Sequence, residues 1–253
     1  MKRSILYLAF ALGILATGRD PRAAEQPKGG LGSGKSELVL QYDFSSVHGT
    51  RVGDGSGKKH DGELKGGEIV EGRRNPALQL NGDGLISMAE IPDSLNPRSR
   101  ALTIGALCKP ATADGIVAAM GDRANGFSLY LKGGVPQFAV RASGELFKVA
   151  GDEPVPMDQW VHLIGTLDAK GVLWLIVDGW PVAHAKGKLI PQKPAEPFCV
   201  GADTGSPVGE YGNARHWRGL LEDVRLYWGF MNRNENWEEL QDWADLPACG
   251  CRK

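Results

Sequence analysis

Hydrophobic and polar residues alternate over short stretches of this chain, and the first such stretch is Leu38–Phe44. In it, the apolar side chains of Leu40, Tyr42 and Phe44 are separated by single polar or acidic residues. A period of two puts successive side chains on opposite faces of an extended strand. The pattern therefore predicts a half-buried β-strand at the start of the fold.

Similar short apolar segments, each bounded by glycine, proline or aspartate, recur along the rest of the chain. With 35 glycines and 15 prolines, this spacing predicts an all-β protein whose strands are joined by tight turns. The further predicted strands lie at 77–80, 85–88, 102–108, 115–120, 127–131, 137–141, 160–167, 172–177, 182–185, 198–200 and 219–227.

Two turns in this pattern predict hairpins. The sequence Asn81-Gly82-Asp83-Gly84 separates the strands 77–80 and 85–88, and Asp178-Gly179 separates 172–177 from 182–185. Asparagine, aspartate and glycine accept the positive φ angles of such turns. We expect each turn to join two paired strands.

The last part of the chain has a helical period. Asn234 is a candidate N-cap, Trp237, Leu240 and Ala244 share one helical face, and Pro247 would end the helix. The pattern predicts a short helix over about residues 235–245 that packs on the edge of the fold.

The N-terminus has the order of a secretory signal: Lys2-Arg3, an apolar run over 5–16, and small residues before Arg19. This predicts a signal peptide over 1–18, with an alternative cut as late as residue 24. The apolar run is shorter than the roughly 20 residues of a membrane span, so no transmembrane anchor is expected after cleavage. A flexible linker is predicted at 25–36, one domain at 37–246 and a cysteine-containing tail at 247–253.

The charges nearly balance, with 29 basic against 30 acidic residues. No field of one sign exists to attract nucleic acid, so it is not an expected partner. Four cysteines in an exported chain are candidates for disulfides, and the alternative is that the two within strands are small buried hydrophobes. The candidates are Cys108, Cys199, Cys249 and Cys251.

Four collinear segments resemble the laminin-G-like jelly roll of the concanavalin A-like lectin and glucanase type. They are the opening Tyr42-Asp43-Phe44, the loop from Asp54 to Gly62, the strand Trp160–Thr166 with its Asp178-Gly179 hairpin, and the strand Gly219–Tyr227. The resemblance spans roughly residues 38–245. It implies two antiparallel sheets packed face to face.

The resemblance also implies a structural calcium ion that joins the 54–61 loop to the opening strand and to strand 219–227. The candidate ligands on the matching positions are Asp54, Ser56, Asp61 and Asp223. Here the chain departs from the family, because Ser45-Ser46 follows the opening strand and Lys58, Lys59 and His60 bring positive charge into the loop. The alternative is a loop held by the hydrogen bonds of its own side chains.

Residues for catalysis are not evident. Glycosidases on this kind of sandwich set two carboxylates at alternate positions of one strand, whereas Glu222 and Asp223 are adjacent and should face opposite sides. No nucleophile motif is present. His162, within a strand, is expected to be a structural hydrogen-bonding residue. We therefore predict no catalytic residue.

A binding site is suggested by aromatic residues near turns, since sugar rings stack on aromatic faces. The candidates are Trp180, Tyr211 and Trp217, with Asn213 and Arg215 as hydrogen-bonding partners. The alternative is that these aromatics close the ends of the sandwich. The prediction is an exported, non-catalytic module that binds a glycan or an extracellular protein. A surface-assembly protein without a small ligand and a polysaccharide hydrolase or lyase are the competing hypotheses.

Overall fold

The computed structural model describes residues 36–212, 216–231 and 236–244. Within these ranges the chain forms two antiparallel sheets and one α-helix, as the strand pattern and the family resemblance predict. The predicted signal peptide, the linker up to residue 35 and the tail 247–253 lie outside the described residues.

The first sheet has eight strands in the order β15-β14-β13-β8-β17-β6-β5, and β1 pairs with the second half of β17. Its strands are β1 Glu37–Tyr42, β5 Glu68–Glu71, β6 Pro76–Asn81, β8 Leu102–Pro110, β13 Val161–Leu167, β14 Val172–Val177, β15 Trp180–Lys186 and β17 Arg218–Trp228.

The second sheet has nine strands in the order β12-β11-β10-β9-β16-β7-β4-β3-β2. Its strands are β2 Val47–His48, β3 Arg51–Val52, β4 Gly62–Lys65, β7 Leu85–Ser87, β9 Gly115–Gly121, β10 Gly126–Lys132, β11 Val135–Ala142, β12 Glu145–Ala150 and β16 Phe198–Val200.

The core lies between the two sheets and is filled by the inward side chains of both. The two sheets pack closely where Gly165 of β13 faces Phe138 of β11. A Cβ atom at position 165 would lie 2.2 Å from the Phe138 ring. Only glycine therefore fits at this point of the sandwich.

One predicted hairpin is wrong and the other is confirmed. β6 and β7 follow one another along the chain but lie in different sheets, because both edges of β6 are occupied by β5 and β17. The segment Asn81–Gly84 is thus a crossover between sheets. Asp178-Gly179 does join a paired hairpin, β14 and β15. β2, β3, β4, β5 and β12 were not among the predicted strands.

The helix α1, Trp237–Ala244, packs on the outer face of the first sheet, and a short 3₁₀ helix spans Asp93–Leu95. The predicted N-cap Asn234 lies outside the described residues. The side chain that anchors α1 is Trp243, which was not among the predicted contacts and is fully buried against Tyr227. No helix in the described part of the chain is long and apolar enough to cross a membrane.

Two of the four cysteines lie in the described residues, and both are free thiols. Cys108 belongs to β8 and Cys199 to β16, in opposite sheets, and both are buried. Burial raises the pKa of each thiol, because an apolar surrounding disfavours the thiolate. Of the two alternatives for these positions, the structure thus has the small buried hydrophobes and not the disulfides. Cys249 and Cys251 lie outside the described residues.

Candidate ligand-binding groove

A groove opens at one edge of the sandwich, where the end strands of the two sheets approach each other. It has a volume of about 350 Å³ and an apolar floor that includes Val155, Val161, Val177 and Val182. The first sheet supplies three of these valines, from β13, β14 and β15. The loop that follows β12 supplies Val155 and the facing wall.

The wall of the groove is a proline-rich loop, residues 151–156, fixed by backbone hydrogen bonds. The amide of Gly151 donates to the carbonyl oxygen of Pro136 at 2.9 Å, and the amide of Val155 donates to that of Gly134 at 2.9 Å. Pro154 and Pro156 restrict the remaining φ angles. The loop is held at both ends, so the groove is preformed.

Trp180 lies next to the residues that line the groove, although it is not one of them. It pairs with Val177 across the β14–β15 hairpin, and paired residues project from the same face of a sheet. The turn is tied to β13, since the His162 amide donates to Asp178 Oδ1 at 2.8 Å and the Asp178 amide donates to the His162 carbonyl at 2.9 Å. Trp180 is 39% exposed, and within the described ranges no other large apolar side chain is exposed.

The other predicted stacking residues do not join Trp180. Tyr211 is 4% exposed and Trp217 is 1% exposed, so neither offers a ring face to a ligand. Tyr211 packs edge-on against Tyr130 of the second sheet with 4.8 Å between ring centres, and its hydroxyl donates to Asp203. Trp217 belongs to the main core and Tyr211 to a smaller cluster on the second sheet, so neither is available for the predicted stacking. Asn213 and Arg215 lie outside the described residues.

The predicted calcium loop is held by hydrogen bonds to Asp54, whose side chain is fully buried. Asp54 Oδ1 accepts from the amides of Gln41 and Ser56, both at 2.9 Å. Asp54 Oδ2 accepts from the Ser56 hydroxyl at 2.7 Å and from the His60 amide at 3.0 Å. Four donors thus occupy the oxygens that a cation would need.

Gln41 provides the connection that the resemblance assigned to calcium. Its amide binds Asp54, while its side chain Nε2 donates to Asp223 Oδ1 at 2.8 Å. Asp223 also accepts from Arg225, at 2.9 Å from Nε and 2.5 Å from Nη2. One residue of the opening strand therefore joins the loop to β17.

The residues present do not fit a calcium ion. Asp61 accepts from Arg51, which lowers the pKa of its carboxyl, and Asp223 accepts from Arg225. Calcium takes six to eight oxygen ligands, whereas these carboxylates already face guanidinium groups and amides. A polar hollow of about 340 Å³ beside the loop is lined in part by Asp43, His48 and Arg51. Its walls carry charges of both signs.

Glu222 and Asp223 have separate structural tasks because β17 contains a bulge at this point. Asp223 has a φ of 50°, and the pairing with β8 shifts between Glu222 and Arg225. Glu222, fully buried, accepts from the amide of Arg73 at 2.5 Å and from those of Arg74 and Asn75 at 3.1 Å. The strand pattern gave no sign of the bulge or of the turn that Glu222 holds.

His162 differs from its predicted role as a hydrogen-bonding residue. It is 1% exposed, and neither ring nitrogen has a hydrogen-bond partner in the described part of the chain. Its ring packs edge-on against Trp243 of α1 at 4.6 Å between centres. Burial, with the charges of Arg225 and Arg73, lowers the pKa of His162 to about 3.

A family model described as the concanavalin A-like lectin/glucanases superfamily, of laminin-G type, matches residues 81–235. The chain belongs to this superfamily. The match begins with the last residue of β6 and includes both strands that carry the groove hairpin. The opening strand and the 54–61 loop lie before it. No curated protein sequence matches the chain significantly.

Several solved structures have the same β-sandwich fold as this chain, although their sequence identity to it is low. The binding domain of Paraclostridial Mosquitocidal Protein 1 is 16% identical, with a TM-score of 0.63 over 82% of this chain and 52% of its own. Domain 4 of AbnA, an extracellular arabinanase from Geobacillus stearothermophilus, is 19% identical, with a TM-score of 0.62 over 83% of this chain and 98% of its own.

A third similar structure is the binding domain of botulinum neurotoxin DC in complex with rat synaptotagmin II. It is 9% identical, with a TM-score of 0.60 over 82% of this chain and 52% of its own. The chain thus spans about half the length of the two toxin domains and nearly all of the arabinanase domain. At these identities the likeness describes the fold.

Proposed function

We propose that this protein is an exported, non-catalytic binding module and that the groove beside Trp180 holds a carbohydrate. The observation that carries the proposal is one exposed tryptophan that pairs with Val177, a residue lining a preformed apolar groove. The partly exposed indole and the apolar floor of the groove together form a larger apolar surface, and such surfaces are typical of ligand sites. An indole face also suits the apolar face of a sugar ring.

The polar groups around the groove support a ligand rich in hydroxyl groups. Asp152, Glu153 and Asp178 line it together with the valines. Carboxylates accept hydrogen bonds from hydroxyls, and a few polar groups set on an apolar surface are typical of small-molecule sites. The groove therefore offers both a stacking surface and acceptors.

The similar structures support binding in general and a sugar in particular. Domain 4 of the arabinanase was solved with arabinotriose, and the botulinum domain was solved with synaptotagmin II. The sandwich thus serves sugar and protein ligands in different proteins. Export is supported by the signal-like N-terminus and by the extracellular arabinanase.

The hydrogen bonds that Glu222 and Asp223 accept support a non-catalytic role. Each is buried and accepts two or more hydrogen bonds from the protein, so neither is placed to attack or protonate a substrate.

A glycan array followed by calorimetry tests the proposal on the mature chain. We expect binding to at least one oligosaccharide, lost in Trp180→Ala and largely kept in Trp180→Phe, which retains a stacking ring. Glu68→Gln, an exposed position on β5 at the opposite edge of the first sheet, is the matched control and should bind normally. An array without any binding, or equal binding by Trp180→Ala, would contradict the proposal.

A further inference from the structure

The groove carries charge of one sign. Three of the residues that line it are acidic, Asp152, Glu153 and Asp178, and none of the residues that line it is basic. Some exposed acidic side chains near the same sheets are paired with lysines, as in Glu210 with Lys148 and Glu145 with Lys188. The groove is thus an acidic site in a chain whose total charge nearly balances.

The groove carboxylates are open to a ligand. Asp152 and Glu153 are exposed and form no ion pair with a described basic residue. Asp178 uses Oδ1 to accept the His162 amide, and its side chain is otherwise directed to solvent. These carboxylates repel one another unless a positive group lies between them.

We propose that the groove recognises a carbohydrate that carries a protonated amino group, such as a glucosamine unit. This inference rests on the proposed function and names its ligand class. Trp180 contacts the apolar face of the sugar ring, and the carboxylates of Asp152, Glu153 and Asp178 hold the ammonium group. A uronic acid, which has the opposite charge on a similar ring, is repelled from the same position.

The shape of the groove favours a sugar over a basic peptide. An extended peptide commonly adds to a free strand edge. Here the edge strand β15 lies against β12 of the second sheet, and the proline-rich loop closes the other side. What remains open is a pocket with Trp180 beside its lining residue Val177.

The test compares oligosaccharides that differ in one group. The intact protein is titrated by calorimetry with glucosamine oligomers, with their N-acetylated counterparts and with galacturonic acid oligomers, at a pH where the amine is protonated. We expect the amine form to bind at least about tenfold more tightly than the acetylated form, because two or three surface charge contacts are lost on acetylation. High salt should reduce this difference.

Variants that remove carboxylates test whether the groove acids cause the preference for the amine form. Asp152→Asn/Glu153→Gln should bring the affinity for the amine form down to that for the acetylated form. Glu68→Gln/Glu71→Gln removes the same charge from two exposed positions on β5 at the opposite edge and should keep the preference.

Each result has one meaning. Equal binding of amine and acetylated forms, with binding still dependent on Trp180, overturns the amino-sugar inference and leaves the proposed function standing. Equal loss of preference in both double variants also overturns it, since total charge would then be the cause. Competition by polylysine as strong as that by the glucosamine oligomer overturns it in favour of a basic peptide. Absence of binding to all glycans contradicts the proposed function itself.

Discussion

Val161 and His162 follow one another in β13 and face opposite sides of the first sheet. Val161 lines the groove, where carboxylates and a tryptophan are exposed. His162 lies under α1 on a face that Trp243, Tyr227 and their neighbours seal from water. We call this second region the sealed face.

Charged residues have different surroundings in the two regions. Near the sealed face, Glu222 and Asp223 each accept several protein donors, and Arg225 lies over the ring of Trp243 at 5.2 Å. In the groove, Asp152 and Glu153 have no such partners among the residues that the structure describes. Buried charge must be satisfied within the protein, whereas exposed charge remains available to a ligand. We therefore expect the sealed face to contribute to stability and the groove to be the proposed binding site.

The largest loss of stability is expected for Glu222→Ala, near the sealed face. The variant leaves three backbone amides of residues 73–75 without an acceptor and should lower the free energy of unfolding by about 3 kcal/mol or more. Urea denaturation measures it, with Glu68→Ala as the exposed control. A loss as small as that of the control would contradict the assigned role.

Acid should weaken the sealed face through His162. The native pKa of about 3 lies below the ordinary value of 6.5, so the unfolded chain binds a proton first as the pH falls. This stability is complete above pH 6.5 and is lost as the pH falls toward 3. Between pH 7 and 4.5 the wild type should lose about 2–3 kcal/mol more than His162→Phe, which does not titrate. If the unfolding free energies of the wild type and of His162→Phe changed equally with pH, His162 would not be the group responsible for the loss.

The groove acids should matter little for stability. Asp152→Asn/Glu153→Gln changes exposed side chains and should alter the free energy of unfolding by less than about 0.5 kcal/mol. The same denaturation experiment checks it. A loss near that of Glu222→Ala would mean that the groove is also a structural element, and the contrast between the two regions would fail.

Calcium should produce the smallest change. The Asp54 loop is satisfied by protein donors, so added calcium should leave the melting temperature of chelator-treated protein unchanged. Differential scanning calorimetry measures this. A clear rise in melting temperature, absent in Asp54→Asn, would show that the loop binds the ion despite its arrangement.

The fold was predictable because strand periodicity and turn residues are local signals. Leu40 and Tyr42 alternate as the observed β1 does, and Asp178-Gly179 forms its hairpin. Asn81–Gly84 gave the same local signal and was misleading, since the neighbours of β6 are set by strands distant in sequence. Pairing between distant strands is not visible in a single turn.

The site was less predictable than the fold. Tyr211 and Trp217 have the same residue chemistry as Trp180, and only the packing of the sandwich shows that they are buried. In the sequence, Asp152 and Glu153 have the character of ordinary polar loop residues. They join Val177 only because β14 and the loop after β12 meet at one edge.

The central claim is that ligand binds in the groove beside Trp180, and nuclear magnetic resonance tests it most directly. Trp180→Phe identifies the indole signal of Trp180 in a ¹⁵N-labelled protein. On titration with the best oligosaccharide from the array, we expect that signal and the amides of residues 151–155 to shift, while the indole signals of buried Trp217 and Trp243 stay in place. Shifts concentrated in the hollow around His48 and Arg51, with Trp180 unmoved, would contradict the account.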